Sequence, residues 1–407
     1  MNVLVLNCGS STLKFQVFWS EPGGAPRRRI RGAVEGFGPK AVLRLRADGA
    51  GDRAPRTEES LPAAGHQEAV SLVLRRLESE PWRGLLNGGT GAIQAVGHRV
   101  VHGGAHYIEP VRIDETVLEN LHALETLAPL HNGPGIAGIR AALELLPVPM
   151  VAVFDTAFHH TLPEVAWRYA IPWDVAEHHG IRRYGFHGTS YRYVLERWCE
   201  LTGTPAARAR LIILHLGNGA SAVAIRDGRS VDTTMGLTPL EGLMMGTRSG
   251  DLDPAVVIEL AHLEGLSAHG MERLLNSRSG LLGVSGLSAD MRRLLEAQDT
   301  HPRARLAVDM FCYRARKAIG AYLAALGGAQ AVVFTGGIGE NAPAVRARIC
   351  EPMAWCGMRL DPQLNAQTLG RDGCISPPST ALPVYVIPTD EEALIARDTA
   401  RLAAQPA

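Results

Sequence analysis

The sequence is poor in several features that often identify a function. It has no net charge, because 41 lysines and arginines balance 41 acidic residues, so there is no electrostatic case for nucleic acid or an anionic membrane as the main partner. Its six cysteines are scattered without a Cys-x2-Cys pair, which argues against the common zinc signatures and favours reduced thiols. No apolar run approaches the roughly 18 residues of a membrane span, and no basic stretch precedes an apolar one at the N-terminus. We therefore expect a cytoplasmic protein.

The remaining composition is that of a globular enzyme. A chain of 407 residues, at roughly 100–200 residues per domain, should form two domains. Alternating helical and strand patterns predict an α/β protein with mixed sheets. Helices are predicted over 67–80, 116–124, 135–146, 191–202, 254–264, 302–326 and 391–404. Strands are predicted over 93–101, 149–154, 211–216, 222–226, 331–334 and 384–387. Residues 20–60 are rich in Gly, Pro and Arg, and the basic run 27–29 is interpreted as a solvated surface turn or strand edge.

The N-terminal segment contains the most informative motif. An apolar strand over 3–6 is followed by a small polar turn, and Leu13, Phe15 and Val17 then alternate with polar residues, which predicts strand, turn, strand. The turn combines hydroxyls, backbone N–H groups and an ammonium, which suit a phosphate chain and its metal. The period-2 pattern argues against a Walker loop, so a hairpin would hold the phosphate. A surface hairpin that merely uses small residues is the alternative, and Cys8 is interpreted as a small filler rather than a nucleophile.

Two further segments repeat this design. Residues 211–228 are again a strand, an Asn218-Gly219 turn and a strand, for which an ordinary hairpin is a strong alternative. Residues 331–341 are a buried-type strand that enters a Gly-rich turn before helical sequence, and such glycines let a backbone approach a ligand closely. Together the three segments suggest two related halves that close on one nucleotide.

Polar side chains at the ends of two predicted strands are candidates for a site. Arg99 follows a strand that should be buried, where arginine is rare without an anionic partner. It is therefore either in a structural ion pair or available to a ligand anion. Asp155 lies at the carboxyl end of the predicted strand 149–154, and ligands of open α/β sheets bind at such ends. The structural alternative for Asp155 is the N-cap of the following turn.

Two loops and two helix starts add further candidates. His187 lies between a phenylalanine and a glycine, next to hydroxyls, which is unusual enough to mark a site. Arg248 lies in a Gly-rich loop and has no evident structural role, whereas Asp253 has one as an N-cap followed by proline. Thr389 with residue 392 is typical of a capping box, which leaves Glu391 without a structural task. Asp290 also precedes a helix, where it could simply favour the helix dipole.

A set of motifs in fixed order carries a resemblance to a known family. The set includes NCGSSTLKFQVF, GHRVVHGG, FDTAFH, RRYGFHGTS, HLGNGASA, MGTRSGDLDP, FTGGIGEN and PTDEEALIARD. On these motifs the whole chain resembles the acetate kinases, the acetokinase family of short-chain acyl kinases. The resemblance implies the duplicated sugar kinase/Hsp70/actin-type (ASKHA) fold, with nucleotide and substrate in the interdomain cleft. It also implies a first domain over 1–155, with 384–407 packed back onto it, and a nucleotide-binding domain over 156–383.

The resemblance also implies an activity and its requirements. The reaction is reversible transfer of the γ-phosphoryl group of ATP to acetate, giving acetyl phosphate and ADP, by a Mg²⁺-dependent homodimer, with Mn²⁺ as the alternative ion. A carboxylate is already ionised at pH 7 and needs no general base, so we expect direct in-line transfer rather than a phosphoenzyme. Two guanidiniums, an imidazole and the metal would screen the two anions from each other.

Individual residues receive roles from the same resemblance. The catalytic group is Asp155, Arg99, Arg248 and His187. Because the acyl carboxylate needs no general base, we interpret Asp155 as orienting an arginine or the water shell of the metal rather than as a proton acceptor. The magnesium positions are Asn7 and Glu391. Arg99 holds the acyl carboxylate, and the apolar pocket for the acyl group consists of Val101, Leu130, Phe186 and Pro239. The nucleotide-binding residues are Ser10, Thr12, Lys14, His215, Gly217, Asn218, Gly219, Asp290, Met291, Arg292, Gly337, Ile338, Gly339 and Asn341.

Four places depart from the family pattern. His-Asn-Gly-Pro-Gly at 131–135 replaces His-Asn-Pro-Ala-Asn, and Tyr191 replaces a histidine; both concern the dimer contacts and the mouth of the pocket. Asp390 replaces an asparagine and adds a negative charge near the metal. Thr12 replaces a serine and keeps the hydroxyl. None of the four removes a charged catalytic residue.

Two other functions stay open. A propionate- or butyrate-preferring kinase of the same family would differ from an acetate kinase only in pocket volume. A nucleotide-dependent switch protein of the same fold would have no small-molecule turnover. Arg99, Arg248 and His187 argue against the switch, because a pure ATP switch has no use for a second anion site.

Overall fold

The chain divides into two compact units, which are described separately. The computed structural model describes residues 1–21, 24–49, 54–127 and 129–405, without the side chains of 126, 127 and 129–131. The first unit is Met1–Ala157 with Asp390–Ala407, and the second is Phe158–Thr389. The expectation that 384–389 belong with the first unit is wrong, because Val384–Val386 pairs with a strand of the second.

A single mixed sheet forms the centre of the first unit. Its strands are β1 (Asn2–Gly9), β2 (Thr12–Trp19), β3 (Arg27–Glu35), β4 (Gly38–Ala47), β5 (Arg56–Ala63), β6 (Ile93–Val100), β7 (Val111–Arg112) and β8 (Met150–Phe154). Their order is β5-β4-β3-β2-β1-β6-β8-β7. β1 is antiparallel to β2, whereas β1, β6 and β8 are mutually parallel. The carboxyl ends of these parallel strands therefore lie at one edge of the sheet.

Helices cover both faces of this sheet. They are α1 (His66–Leu77), α2 (Trp82–Leu86), α3 (Glu115–Ala123), α4 (Pro129–Leu145) and, at the end of the chain, α16 (Glu391–Ala403). The larger core joins strand residues such as Phe15 to Val70 of α1 and Trp82 of α2. On the opposite face, Ile395 of α16 packs in a cluster with Val5. Because successive strand residues face opposite sides, β1 contributes to both cores.

The second unit also has one central sheet. Its strands are β9 (Arg210–Leu216), β10 (Ala220–Arg226), β11 (Arg229–Thr233), β12 (Ala331–Thr335), β13 (Gly373–Cys374) and β14 (Val384–Val386), in the order β11-β10-β9-β12-β14-β13. Its helices are α5 (Glu164–Trp167), α6 (Trp173–His179), α7 (Gly188–Thr202), α8 (Pro254–Leu263), α9 (Ala268–Ser277), α10 (Gly280–Ser285), α11 (Met291–Ala297), α12 (Pro302–Leu326), α13 (Gly336–Asn341), α14 (Pro343–Cys350) and α15 (Pro362–Gln367). Trp198 of α7 packs in one core cluster with Ile213 of β9 and Val333 of β12.

The two sheets repeat one topology. Each contains a three-stranded antiparallel meander, β3-β2-β1 or β11-β10-β9, extended by two parallel strands, β6-β8 or β12-β14. The order and the strand directions are the same in both. This repeat confirms the expectation of a duplicated α/β fold with mixed sheets.

Most elements agree with the patterns in the sequence, and two further interpretations are wrong. The basic run 27–29 begins β3, an inner strand of the eight-stranded sheet, rather than a turn or strand edge. Ile30 and Val34 of that strand are buried, so the arginine-rich segment is an amphipathic strand. The Gly-rich segment after β12 is the helix α13 itself rather than a turn. Among the described residues no helix has the length and apolar character needed to cross a membrane.

Candidate active site

The β1–β2 hairpin holds the first group of predicted site residues. In its register Asn7 lies opposite Lys14 and Gly9 opposite Thr12. Ser10 therefore lies in a two-residue turn, where it is exposed, as is Lys14 on the following strand. The hairpin expected from the sequence is confirmed, and its turn offers hydroxyl, backbone and ammonium donors to a ligand.

Cys8 in this hairpin has a packing role. A Cβ atom built on Gly138 of α4 would lie only 2.2 Å from the Sγ atom of Cys8, so the helix approaches the strand closely because residue 138 is glycine. Burial raises the pKa of the Cys8 thiol to about 12. A protonated thiol is a poor nucleophile, which agrees with the interpretation of Cys8 as a filler.

Arg99 and Asp155 form a close ion pair at the carboxyl ends of β6 and β8. Nε of Arg99 donates to Oδ1 of Asp155 at 3.1 Å, and Nη2 donates to Oδ2 at 2.6 Å. The Asp155 side chain is only 1% exposed, whereas that of Arg99 is 20% exposed. Nε of Arg99 also lies 3.6 Å from Oε2 of Glu391, at the start of α16. The ion pair expected as one alternative is therefore present, and it fixes the orientation of the Arg99 guanidinium through Nε and Nη2.

The electrostatics of this group centre on Glu391. Burial raises the pKa of Glu391 to about 7; the positive charges of Arg99 and Lys14 oppose this rise, and the negative charge of Asp155 adds to it. Burial lowers the pKa of Arg99, but Asp155 and Glu391 outweigh that effect and raise it. The Arg99 guanidinium therefore stays charged, and at neutral pH the carboxyl group of Glu391 is about half ionised.

The residues present fit a magnesium ion. Mg²⁺ takes oxygen ligands and is usually held through one or two carboxylates, waters and substrate phosphates. The carboxylate of Glu391 and the amide oxygen of Asn7 are donors of this kind. Burial, with a smaller contribution from the neighbouring carboxylates, raises the pKa of Glu391, and a bound cation would favour its ionised form. Within the described ranges no three His, Cys, Asp or Glu side chains are grouped so as to hold a metal by themselves.

The start of α16 differs from the predicted capping box. Asp390, rather than Thr389, is the N-cap, and its Oδ1 accepts a hydrogen bond from the backbone N–H of Ala393 at 3.0 Å. Its Oδ2 lies 3.4 Å from Nη1 of Arg28. The Oγ1 of Thr389 is buried without a hydrogen-bond partner in the described part of the chain. A carboxylate caps a helix better than a threonine hydroxyl. The negative charge that Asp390 adds therefore caps α16 and is paired with Arg28.

In the second unit the β9–β10 turn lies against the start of α13. A Cβ atom built on Gly217 would be 3.9 Å from the backbone nitrogen of Gly337. His215 lies opposite Thr335 in the parallel register, and Gly336 has a φ of 75°, a conformation that favours glycine. The same two elements carry the predicted residues Asn218, Gly219, Ile338, Gly339 and Asn341. The structure therefore brings together two of the predicted nucleotide segments.

His187 and Arg248 converge on this turn. A Cβ atom built on Gly219 would lie 3.4 Å from Nε2 of His187 and 3.9 Å from Nη1 of Arg248. Nη1 of Arg248 also donates a 3.4 Å hydrogen bond to the carbonyl oxygen of Pro239. Burial lowers the pKa of Arg248, but a guanidinium remains charged at neutral pH. Two cationic or polar donors thus face one glycine, an arrangement suited to an oxyanion.

The predicted residues at 290–292 begin α11. Asp290 is its N-cap, with Oδ1 accepting from the backbone N–H of Arg292 at 2.9 Å. The side chains of the same two residues form an exposed ion pair of 3.2 Å, and Met291 is buried. Asp290 therefore has the helix-start role recognised in the sequence, and its nucleoside role stays a prediction.

The residues predicted for the acyl pocket belong to both units. Val101 is half-buried directly after β6, in the first unit. Phe186 is buried and Pro239 half-buried in the second unit, where the Phe186 carbonyl accepts from Nε2 of His159 at 2.9 Å. The side chain of Leu130 lies outside the described residues. The pocket itself therefore stays a prediction.

Comparison with protein families shows which family these residues belong to. A family model described as the acetokinase family matches residues 2–397. The chain belongs to the acetokinase family. This confirms the resemblance carried by the motifs and the expectation that the chain is a kinase.

Similar acetokinases cover almost the whole chain. An acetate kinase of Solibacter usitatus is 51% identical over 409 residues, which span 98% of each chain. A crystal structure of Porphyromonas gingivalis acetate kinase is 42% identical, with a TM-score of 0.90, and covers 98% of this chain and 99% of that one. A propionate kinase from Francisella tularensis is 37% identical, with the same TM-score and coverage.

Sequence reasoning missed two residues that hold α13 in this acetokinase. The fully buried guanidinium of Arg346 donates to the carbonyls of Gly339 at 2.8 Å and Glu340 at 3.0 Å, and to carbonyls around α15. The Glu340 carboxylate accepts from the backbone N–H groups of Gly336 at 2.9 Å and Thr389 at 3.1 Å. An arginine within an otherwise apolar helix face after FTGGIGEN was the available signal.

Proposed function

We propose that the chain is an acetate kinase, which transfers the γ-phosphoryl group of ATP to acetate and produces acetyl phosphate and ADP reversibly. The observation that carries the proposal is the Arg99 guanidinium, which a buried carboxylate orients beside a candidate metal ligand, Glu391. Such a group can hold an anionic nucleophile close to an anionic phosphate. The 51% identical relative named acetate kinase supports acetate as the acceptor.

The residues of the chain would supply positioning and charge. Arg99, held by Asp155, binds the carboxylate of the acyl substrate. Arg248 and Nε2 of His187 donate to oxygens of the transferring phosphoryl group, whose charge spreads over its equatorial oxygens in the transition state. Glu391 and Asn7 would hold a Mg²⁺ ion, which would supply positive charge to the phosphates. The nucleophile is ionised at pH 7, so a single in-line displacement needs no proton acceptor and no phosphoenzyme.

Trapping of the product tests this proposal. With ATP, acetate and Mg²⁺, we expect acetyl phosphate, measured as its hydroxamate, in equal amount to the ADP formed. Asp155→Asn should slow the reaction strongly, because the neutral amide no longer holds the Arg99 guanidinium in place. The matched control Asp253→Asn changes a helix N-cap outside the site and should leave the rate unchanged. ADP formation without acetyl phosphate would refute the proposal.

A second acceptor has one specific observation in its favour. The propionate kinase from Francisella tularensis matches 98% of the chain with a TM-score of 0.90, as closely in fold as the acetate kinase from Porphyromonas gingivalis does. Propionate differs from acetate by one methylene, so pocket volume decides between them. No comparable observation favours a switch protein without turnover.

The proposal extends to the assembly and its compartment. Helix α8 has no buried residue in the single chain, although it is largely apolar; Ile258 is 72% and Leu263 68% exposed. Exposed apolar helices of this kind are typical of protein interfaces, which supports a homodimer built through α8. Because its proposed substrates are ATP and a small carboxylate, we expect the protein to act in the cytoplasm.

A further inference from the structure

His187 is held in an unusual backbone conformation. Its φ of 57° and ψ of 20° lie in the left-handed region, immediately before α7. A residue with a Cβ atom adopts this region only where its surroundings fix it. Here the imidazole is stacked on His215, with ring centres 4.2 Å apart and planes 21° apart. Its Nδ1 lies 2.8 Å from Oγ of Ser221.

A buried hydroxyl chain continues from His187. Ser221 of β10 is completely buried, and its Oγ is also hydrogen-bonded to the phenol oxygen of Tyr191. Tyr191 is completely buried on α7, and its backbone N–H donates to the carbonyl of His187 at 3.0 Å. The phenol, the serine hydroxyl and the imidazole therefore form one relay. Tyr191 is a position at which this chain departs from the histidine of the family pattern.

From this geometry we infer that Tyr191 and Ser221 fix His187 as the neutral tautomer that carries its proton on Nε2. A phenol is a stronger hydrogen-bond donor than a serine hydroxyl, so Tyr191 donates to Ser221. The serine has one hydrogen and gives it to Nδ1 of His187. An imidazole whose Nδ1 accepts a hydrogen bond in its neutral form has its proton on Nε2.

The position of Nε2 indicates what this tautomer does in the site. Nε2 and the Arg248 guanidinium both face Gly219, because both would lie within 4 Å of a Cβ atom built on that glycine. An N–H group at Nε2 can donate to an anionic oxygen there, whereas an unprotonated Nε2 would repel it. Tyr191 and Ser221 are thus positioning residues for the phosphoryl contact. The role of the Nε2 proton in phosphoryl transfer rests on the proposed function, whereas the assignment of the tautomer does not.

Nitrogen NMR of histidine-labelled protein tests the relay without substrates. The His187 resonances, assigned by their loss in His187→Gln, should show protonated Nε2 and unprotonated Nδ1 at pH 8. Tyr191→Phe keeps the buried ring and removes the donor, and Ser221→Ala removes the central hydroxyl. Both variants should shift the His187 signals towards a mixture of tautomers, whereas Tyr193→Phe, a half-buried tyrosine on the same helix, should not. A wild-type proton on Nδ1, or an unaltered tautomer in both variants, would overturn the inference.

Steady-state kinetics test whether the relay contributes to phosphoryl transfer. We expect Tyr191→Phe to lower kcat by about 5–20-fold, with the KM values for ATP and acetate within twofold of wild type, because the contact is made to the transferring group. An unchanged kcat, or a loss that appears only in KM, would overturn the positioning role. If the wild-type protein makes no acetyl phosphate, the proposed function fails, and the NMR result still decides the relay.

Discussion

At the scale of single residues, the two site arginines lie in different surroundings and should respond differently to substitution. Alanine at either position removes a charge-assisted contact to the transition state, so we expect kcat/KM to fall by about 10²–10⁴. Arg99→Ala also removes the guanidinium that is paired with the buried Asp155 carboxylate, which should cost about 3–5 kcal/mol of unfolding free energy. Arg248→Ala instead removes a hydrogen bond to the carbonyl oxygen of Pro239, and lysine should rescue either variant poorly. Steady-state rates and thermal melts measure both effects, and near-wild-type turnover in either alanine variant would remove that residue from the site.

The raised pKa of Glu391 predicts that the stability of the fold depends on pH. Its pKa rises from 4.5 in the unfolded chain to about 7 in the folded one, so the folded state binds this proton more tightly. The resulting stabilisation is complete below pH 4.5 and is lost as the pH rises through 7. Glu391→Gln should therefore melt a few degrees above wild type at pH 8 in the absence of metal, and should require more Mg²⁺ for half-maximal rate. Glu392→Gln is the matched control for loss of one charge. A lower melting temperature with unchanged metal dependence would make Glu391 purely structural.

Val101 tests acyl selectivity. Val101→Ala should improve kcat/KM for propionate relative to acetate, because the smaller side chain enlarges the pocket while acetate loses van der Waals contact. We expect a change of severalfold in the ratio, measured with both acids in wild type and variant. If Val101 is only a packing residue, the variant will lose stability and keep the ratio, which would refute the pocket assignment.

At the scale of elements, α13 depends on one buried arginine. Burial lowers the pKa of Arg346 to about 10, so it is still charged at pH 7 and donates to carbonyls at the end of α13. Arg346→Lys cannot reproduce this planar fork and should raise the KM for ATP by about 3–10-fold, with the KM for acetate within twofold. Arg348→Lys, on the same helix and paired with Asp309, is the control. Equal changes in both KM values would show a general loss of structure instead.

Local patterns predicted the elements that have a strong period and a clear cap. The strand at 150–154 and the helix at 302–326 are examples, as is the N-cap at Asp253 with proline behind it. The inner strand β3 escaped prediction because its arginines hide the alternation of its buried residues. The relay from Tyr191 to His187 could not be predicted, because Ser221 reaches both only after β10 has packed beside α7. The motifs in the sequence predicted candidate site residues, but they did not predict the residues that position them.

At the scale of the whole molecule, assembly should depend on α8. Ile258→Glu places a charge on a side chain that is 72% exposed in the single chain, so it should leave the fold intact and break a dimer formed through this helix. Light scattering after size-exclusion chromatography should give about 44 kDa for the variant against twice that for wild type. Leu306→Glu changes a half-exposed leucine of α12 and should keep the dimer. A dimeric Ile258→Glu protein would place the interface elsewhere.

Acyl preference tests the central claim for the whole molecule most directly. Initial rates with acetate, propionate and butyrate, at saturating Mg-ATP, give kcat/KM for each acid. Each added methylene in a hydrophobic pocket is worth roughly 1–3 kcal/mol, so we expect acetate to be preferred over propionate about tenfold and over butyrate by more. A preference for propionate or butyrate, or no transfer to any of the three acids, would contradict an acetate kinase.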